Sequence, residues 1–225
     1  MTGVDASPIV EQPSAFSLWL NCVPFLHLAL GAAVAFGYCE ATGWRCAFLL
    51  AWIYLVPPIV ARLTLSLFGR PQGRLTQDMR AYRVWWFLTQ LQTLFNRLPM
   101  LEECLRLAPG LYPAWIRLWG GSLSPFAYVG PGVLITDRYL VTVERGAVLG
   151  WMSALAGHMA SRDDAGRFVV VAAAPTVEAE AILGGGAGLG PGARLSARHM
   201  LPAGRRVAPF EVWPRRRVPS GGERA

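Results

Sequence analysis

Three histidines and no lysine bound the acid–base chemistry open to this chain, whose 21 basic residues are all arginine. His27, His158 and His199 are its only side chains that change charge between about pH 5 and 8 without perturbation. His27 lies within an apolar segment and is expected to be a hydrogen-bonded packing residue. His199 takes a position that alanine fills in earlier repeats; it is either a core or interface irregularity or a second site residue. His158 directly precedes the polar stretch Ala160–Phe168 (ASRDDAGRF), which carries Arg162, Asp163, Asp164 and Arg167. Asp163 or Asp164 could orient the imidazole by accepting a hydrogen bond. The four cysteines, Cys22, Cys39, Cys46 and Cys104, form no CxxC or Cys/His cluster. Neither a disulfide framework nor a metal site is expected from them.

The elements that must hold His158 repeat every six residues. Val177, Leu183, Leu189, Leu195, Leu201 and Val207 follow one another at that spacing. Ala181, Ala187 and Ala193 stand four places after the first three, and glycine and proline fill the gaps. A period of six indicates a β-solenoid, with one short strand and one turn per repeat. Earlier sixes run through Val129, Ile135 and Val141, then, after a two-residue shift, through Val143, Leu149 and Leu155. From Leu155 to Val171 the spacing is sixteen, six plus ten, so Ala160–Phe168 is expected to be a loop thrown out from a corner. Inserted loops of solenoids often form a binding face; a solvated polar loop is the alternative. In the last repeats His199, Arg205 and Glu211 replace the small residue.

The rest of the chain divides by composition. Residues 1–14 are polar. Residues 15–69 hold two apolar runs, Ala15–Tyr38 and Cys46–Phe68, each long enough to cross ~30 Å of hydrocarbon as a helix; a transmembrane hairpin follows. Arg70, Arg74, Arg80 and Arg83 come after it, whereas only Arg45 lies in the connecting loop, so the positive-inside rule puts both termini in the cytoplasm. Residues 70–119 read as amphipathic helices, over Thr76–Leu107 and Tyr112–Trp119, lying on the bilayer, packing on the solenoid, or both. The solenoid occupies 120–213, and 214–225 is a basic tail expected to be disordered. Mean hydropathy is +0.35 and the net charge +7. No basic, aromatic-interleaved module accompanies that charge, and nucleic acid is not an expected partner.

The sixes at Val129–Leu155 and Val171–Val212 resemble those of the hexapeptide-repeat acyltransferases. Leu149-Gly150 and Leu155-Ala156-Gly157-His158 are similar to the LxGH-type stretch of several such enzymes. Asn96-Arg97-Leu98-Pro99 and Pro109-Gly110-Leu111-Tyr112 resemble the lead-in of membrane-associated bacterial members. The resemblance implies an all-β left-handed parallel β-helix of three hexapeptides per coil, following the N-terminal helices. It implies a homotrimer in the bacterial inner membrane with sites between neighbouring subunits. It also implies an acyl-CoA cosubstrate, no bound cofactor, and a histidine acting as general base on a hydroxyl or amine acceptor. His158 matches that histidine, with Asp163 or Asp164 orienting it and Gly157, Arg162 and Arg167 beside the substrate. Contacts to CoA phosphates then fall to arginine, at Arg194, Arg198, Arg205 or Arg206. The anchor suggests a lipid-like acceptor, a glycan or a hydrophobic small molecule. A non-catalytic membrane-anchored scaffold is the competing expectation, because irregular coils can keep packing and lose chemistry.

Overall fold

The computed structural model describes residues 14–164 and 166–215. The polar start before Ser14 and the basic tail after Arg215 lie outside them. The first apolar run forms α1 (Ala15–Leu20) and α2 (Val23–Tyr38), and the second forms α3 (Thr42–Phe68). Ser14 caps α1, its hydroxyl accepting from the Ser17 N–H at 3.2 Å. The break at Asn21-Cys22 precedes Pro24, whose missing N–H is tolerated in a first helical turn. α3 continues through Pro57-Pro58 as one helix. Both segments are long and apolar enough to cross a membrane, and Trp19, Phe25, Trp44 and Leu67 face outward rather than filling a core. Gly31 lets the two approach: a Cβ there would lie 2.6 Å from the Trp52 ring. His27 stacks on Trp52 with ring centroids 5.7 Å apart, a packing role, but its buried Nε2 lacks the expected hydrogen-bond partner among the described residues.

After α3 come β1 (Gly73–Leu75), α4 (Arg80–Arg97), α5 (Met100–Arg106) and α6 (Leu111–Trp119). The single helix expected over Thr76–Leu107 is two, because Pro99 has no N–H to continue the ladder. Tyr82, Trp85, Leu88, Leu91 and Phe95, spaced by three and four, bury one face of α4. They join Trp115, Ile116 and Trp119 in a core continuous with the solenoid interior. The amphipathic helices therefore pack on the solenoid.

The solenoid winds in coils of three two-residue strands. The first coil is β2 (Ser122–Leu123), β3 (Tyr128–Val129) and β4 (Leu134–Ile135); the second is β5 (Thr142–Val143), β6 (Val148–Leu149) and β7 (Ala154–Leu155). Next comes an antiparallel hairpin, β8 (His158–Arg162) and β9 (Phe168–Ala172). The third coil is β10 (Thr176–Val177), β11 (Ile182–Leu183) and β12 (Gly188–Leu189), and the fourth is β13 (Arg194–Leu195), β14 (Met200–Leu201) and β15 (Arg206–Val207). β16 (Val212–Trp213) opens another turn. Equivalent strands stack in parallel into three faces: β2-β5-β10-β13-β16, β3-β6-β11-β14 and β4-β7-β12-β15. This is a parallel β-solenoid of about five turns, consistent with a left-handed β-helix.

Two details of the expected winding are corrected. The phase shifts directly after Ile135, which is followed by Val143 eight residues on rather than six; Val141 lies on the connection. Val171 belongs to the hairpin, not to a coil. The expected loop is only the tip of that hairpin, whose β9 also pairs with β1, Arg74 opposite Val171. The hairpin is thereby joined edge to edge with the segment linking α3 to α4.

A rule governs the corners. Three residues after an inward aliphatic, the backbone turns to positive φ at Gly132, Gly146, Met152, Glu180, Gly186, Gly192, Arg198, Gly204 and Phe210. The same count after Leu123, Ile135 and Leu155 gives Phe126, Arg138 and His158, and none of these adopts it. After Leu123 the winding nonetheless keeps its step of six, whereas at the corners after Ile135 and Leu155 the chain leaves the coil. The polar substitutes at the small position have a different origin. Ala181, Ala187 and Ala193 are sealed between coils, whereas His199 and Arg205 belong to the last full coil and are exposed. Only at the end of the stack does that position open to water.

Candidate active site

The corners after Ile135 and Leu155 are stacked, because β4 pairs with β7 in register, Ile135 opposite Leu155. The residues just beyond each strand therefore meet. The His158 Nδ1–H donates to Asp137 Oδ2 at 2.7 Å. The same oxygen accepts from the Thr136 hydroxyl at 2.7 Å, and that hydroxyl accepts from the Gly157 N–H at 3.1 Å. Gly157 is buried against Asp137, and a Cβ there would fall 2.7 Å from the Asp137 Cβ. No larger residue fits without pushing the carboxylate off the ring. The Asp137 side chain is almost completely buried, while that of His158 is 27% exposed. Trp85 of α4 packs its ring edgewise on the imidazole at 5.1 Å. The ring is thus fixed on one side by a carboxylate and on another by an indole. Its Nε2 makes no hydrogen bond among the described residues and is not one of the sealed, unpartnered atoms.

Burial by itself lowers the pKa of His158. The hydrogen bond and negative charge of Asp137 act oppositely and prevail, so the imidazole titrates above its ordinary value. With Nδ1 protonated and bonded to the carboxylate, the neutral ring presents an unprotonated Nε2. That is the arrangement of a general base able to take a proton from an O–H or N–H.

Arg138, three residues beyond Ile135, is completely buried and carries the site into the helices. Its backbone N–H donates to Gln92 Oε1 at 2.7 Å. Its guanidinium donates to Asn96 Oδ1 at 2.9 Å and forms an ion pair with Glu102 in which Nε, at 2.8 Å, and Nη2 both donate to Oε1. Phe95 and Trp115 flank it. Glu102 also accepts from Tyr112 at 2.5 Å and from Arg106 at 3.2 Å. Burial and the Glu102 charge hold the Tyr112 phenol far above its ordinary range, so it stays a donor.

The residues singled out from the sequence are distributed differently from expectation. The carboxylate that orients His158 is Asp137, from the preceding coil, and neither Asp163 nor Asp164. Asp163 bonds within the hairpin tip, to the Arg167 Nε at 2.8 Å and to its backbone N–H at 2.8 Å. Asp164 is an exposed turn residue. Arg162 donates to the Gly166 carbonyl at 2.8 Å, so it too serves the tip. Gly157 positions the dyad from beneath. Among the four arginines expected at a CoA, Arg194 pairs with Glu178 at 2.6 Å and Arg198 with Glu180 at 3.0 Å. Arg205 covers the Trp213 ring at 4.2 Å.

Arg206 alone of these four lines a groove of about 410 Å³ on the third face. The groove passes Pro209, Gly188 and Ala154 and reaches Ala156 and Met159, beside His158. Its floor is formed by alanine and glycine, the outward residues of β7 and β12, whose small side chains leave room above them.

Asp137 and Arg138 were missed from sequence although a signal existed. The eight-residue step from Ile135 to Val143 marks the corner that holds both.

No protein-family model and no curated protein matches this chain. Among solved structures, serine acetyltransferase isoform 3 from Entamoeba histolytica, in complex with cysteine, is similar at 13% identity. That match covers 96% of this chain and 86% of that one, with a TM-score of 0.23. Neisseria gonorrhoeae serine acetyltransferase in complex with serine is similar at 15% identity, covering 84% and 80%, with a TM-score of 0.25. The soybean serine acetyltransferase apoenzyme matches at 18% identity, covering 83% and 80%, with a TM-score of 0.20. Likeness at this level assigns neither activity nor substrate.

Proposed function

We propose that this chain is a membrane-anchored acyltransferase that moves an acyl group, such as acetyl, from acyl-CoA to a hydroxyl or amine acceptor. The observation that carries this reading is the Asp137–His158 pair, with Nδ1 occupied and Nε2 free at a corner of a β-solenoid. The acceptor O–H or N–H gives its proton to Nε2 as its lone pair attacks the thioester carbonyl. The C–S bond then breaks, and the departing CoA thiolate takes the proton back from the imidazolium. Asp137 fixes the tautomer and offsets the positive charge while the ring holds that proton.

The third-face groove fits the pantetheine arm of the donor. Its alanine and glycine floor admits a slender chain, and Arg206 at its far end is suited to a phosphate. The two apolar segments serve as a transmembrane hairpin, with the solenoid on the cytoplasmic side. This favours a lipid-like or otherwise apolar acceptor, with glycans and small molecules as further members of the class. A homotrimer agrees with the outward residues of the second face, where Tyr128, Ile182 and Met200 form an exposed apolar column.

The test is CoA release by membranes containing the full chain, across a panel of acyl-CoAs, with mass detection of the acylated product. His158→Asn, which keeps a donor toward Asp137, is expected to lower kcat/KM by about 10²–10⁴. Full activity in that variant refutes the assigned base. No CoA binding and no release with any donor favours the non-catalytic scaffold.

A further inference from the structure

A second groove lies where the apolar helices meet α4. It encloses about 480 Å³ and is walled by Phe16 and Leu20 of α1, Thr64 and Phe68 of α3, and Val84 and Phe87 of α4. That volume falls in the ligand-pocket range of roughly 300–1,000 Å³. The Thr64 hydroxyl is spent on the Val60 carbonyl at 2.8 Å, so the walls offer an apolar chain no competing polar group there. Two cations, Arg80 and Arg83, stand in its lining. Arg80 lies over the Phe68 ring at 4.6 Å. Among the described residues neither arginine has a carboxylate partner, unlike the exposed Arg167, Arg194, Arg198 and Arg215, so the two charges on this lining are not neutralised by the protein. An apolar trough with two unneutralised guanidiniums is complementary to one kind of molecule, an acyl chain bearing an anionic head. Position agrees with chemistry. α1 begins and α3 ends at the same end of the helical hairpin, and α4 starts twelve residues after α3 ends, so the arginines sit at headgroup depth if the hairpin spans a bilayer.

We propose that this groove is a binding site for one phosphate-headed lipid, its acyl chain between α1, α3 and α4 and its phosphate on Arg80 and Arg83. The inference rests on the membrane reading of the hairpin but not on chemistry at His158, and its readout requires no turnover. Arg80, Arg83, Val84 and Phe87 line one face of α4, while Tyr82 and Trp85 form the buried face that reaches the imidazole. The Trp86 Nε1–H donates to the Ser17 carbonyl at 3.1 Å and closes α1 onto this helix. A lipid seated there would brace α4 against the hairpin.

The experiment uses the full chain with the photoreactive benzoylphenylalanine replacing Phe87. It is reconstituted in phosphatidylcholine nanodiscs with a minority of phosphatidic acid of the same chains. After illumination, mass spectrometry identifies what is captured. Capture of phosphatidic acid is expected at about ten times its share of the bilayer, and Arg80→Gln with Arg83→Gln is expected to remove that enrichment. Capture of the two lipids in proportion to abundance overturns the proposal, as does enrichment that survives the double substitution. Capture of residues 1–13 or of a second copy of the chain also overturns it, since the groove then has a protein occupant.

Discussion

At the scale of single residues, the pairing of His158 with Asp137 sets the pH behaviour expected of the proposed base. A general base works in its neutral form, so the acidic limb of the rate profile follows the imidazole pKa. The Asp137 carboxylate raises that pKa, so the limb is expected above the ordinary value of about 6.5. Asp137→Asn removes the raising influence and leaves burial, which lowers. A pH series of kcat/KM should then show the limb moving to lower pH together with a fall in its plateau; an unmoved limb would assign the titration elsewhere. The sign for folding is the reverse. The pair's contribution to stability is fully present below the unfolded pKa of His158 and is lost as pH rises through the folded one. His158 was legible in the sequence because it stands where an unbroken run of sixes stops. Its partner was not, because that contact joins residues twenty-one positions apart across two coils. Only the register of β4 on β7 brings them together, and a period reports phase without reporting which irregular corners stack.

At the scale of elements, Arg138 and Glu102 join the solenoid to α4, α5 and α6 through a buried ion pair. Removing one partner strands the other charge away from water. Glu102→Gln or Arg138→Met is therefore expected to cost about 3–5 kcal/mol, measured by denaturation of the detergent-solubilised chain. The double variant should cost less than the sum of the singles, because no charge is left alone. A cost near zero for both singles would mean that this corner does not hold the helices. The limits of sequence reading also have physical causes here. α4 was legible from its apolar face at spacings of three and four. Its end at Arg97 was set by Pro99, a local effect that the longer amphipathic pattern concealed. The run Phe168–Ala172 imitated a coil because Val171 is six residues before Val177, yet β1 covers its edge and makes it the middle strand of a separate antiparallel sheet. Strand pairing between segments almost a hundred residues apart leaves no periodic trace.

At the scale of the whole molecule, the fold class was the most legible feature, since six-residue phase, apolar spans and punctuating glycines all agree. The proposed homotrimer would use what the second face leaves uncovered. Ile182→Arg, in the middle of the exposed column of Tyr128, Ile182 and Met200, is expected to dissociate a trimer into monomers in detergent by light scattering. An unchanged mass would place any interface on another face. The helices matter at this scale as an end cap: Leu123 of the first coil is sealed beneath Ile116 and Trp119, so the winding begins on an aromatic plug rather than in water.

The third face has a metric consequence. Ala154, Gly188 and Arg206 stand in one hydrogen-bonded ladder, one strand apart at each step. Strand spacing is about 4.8 Å, so the backbone at Arg206 lies roughly 10 Å from that at Ala154. Side chains can trim this reach, but the frame can alter it only in whole rungs, each requiring eighteen residues gained or lost. The stack is a graduated ruler, with an imidazole near one mark and a guanidinium two marks along.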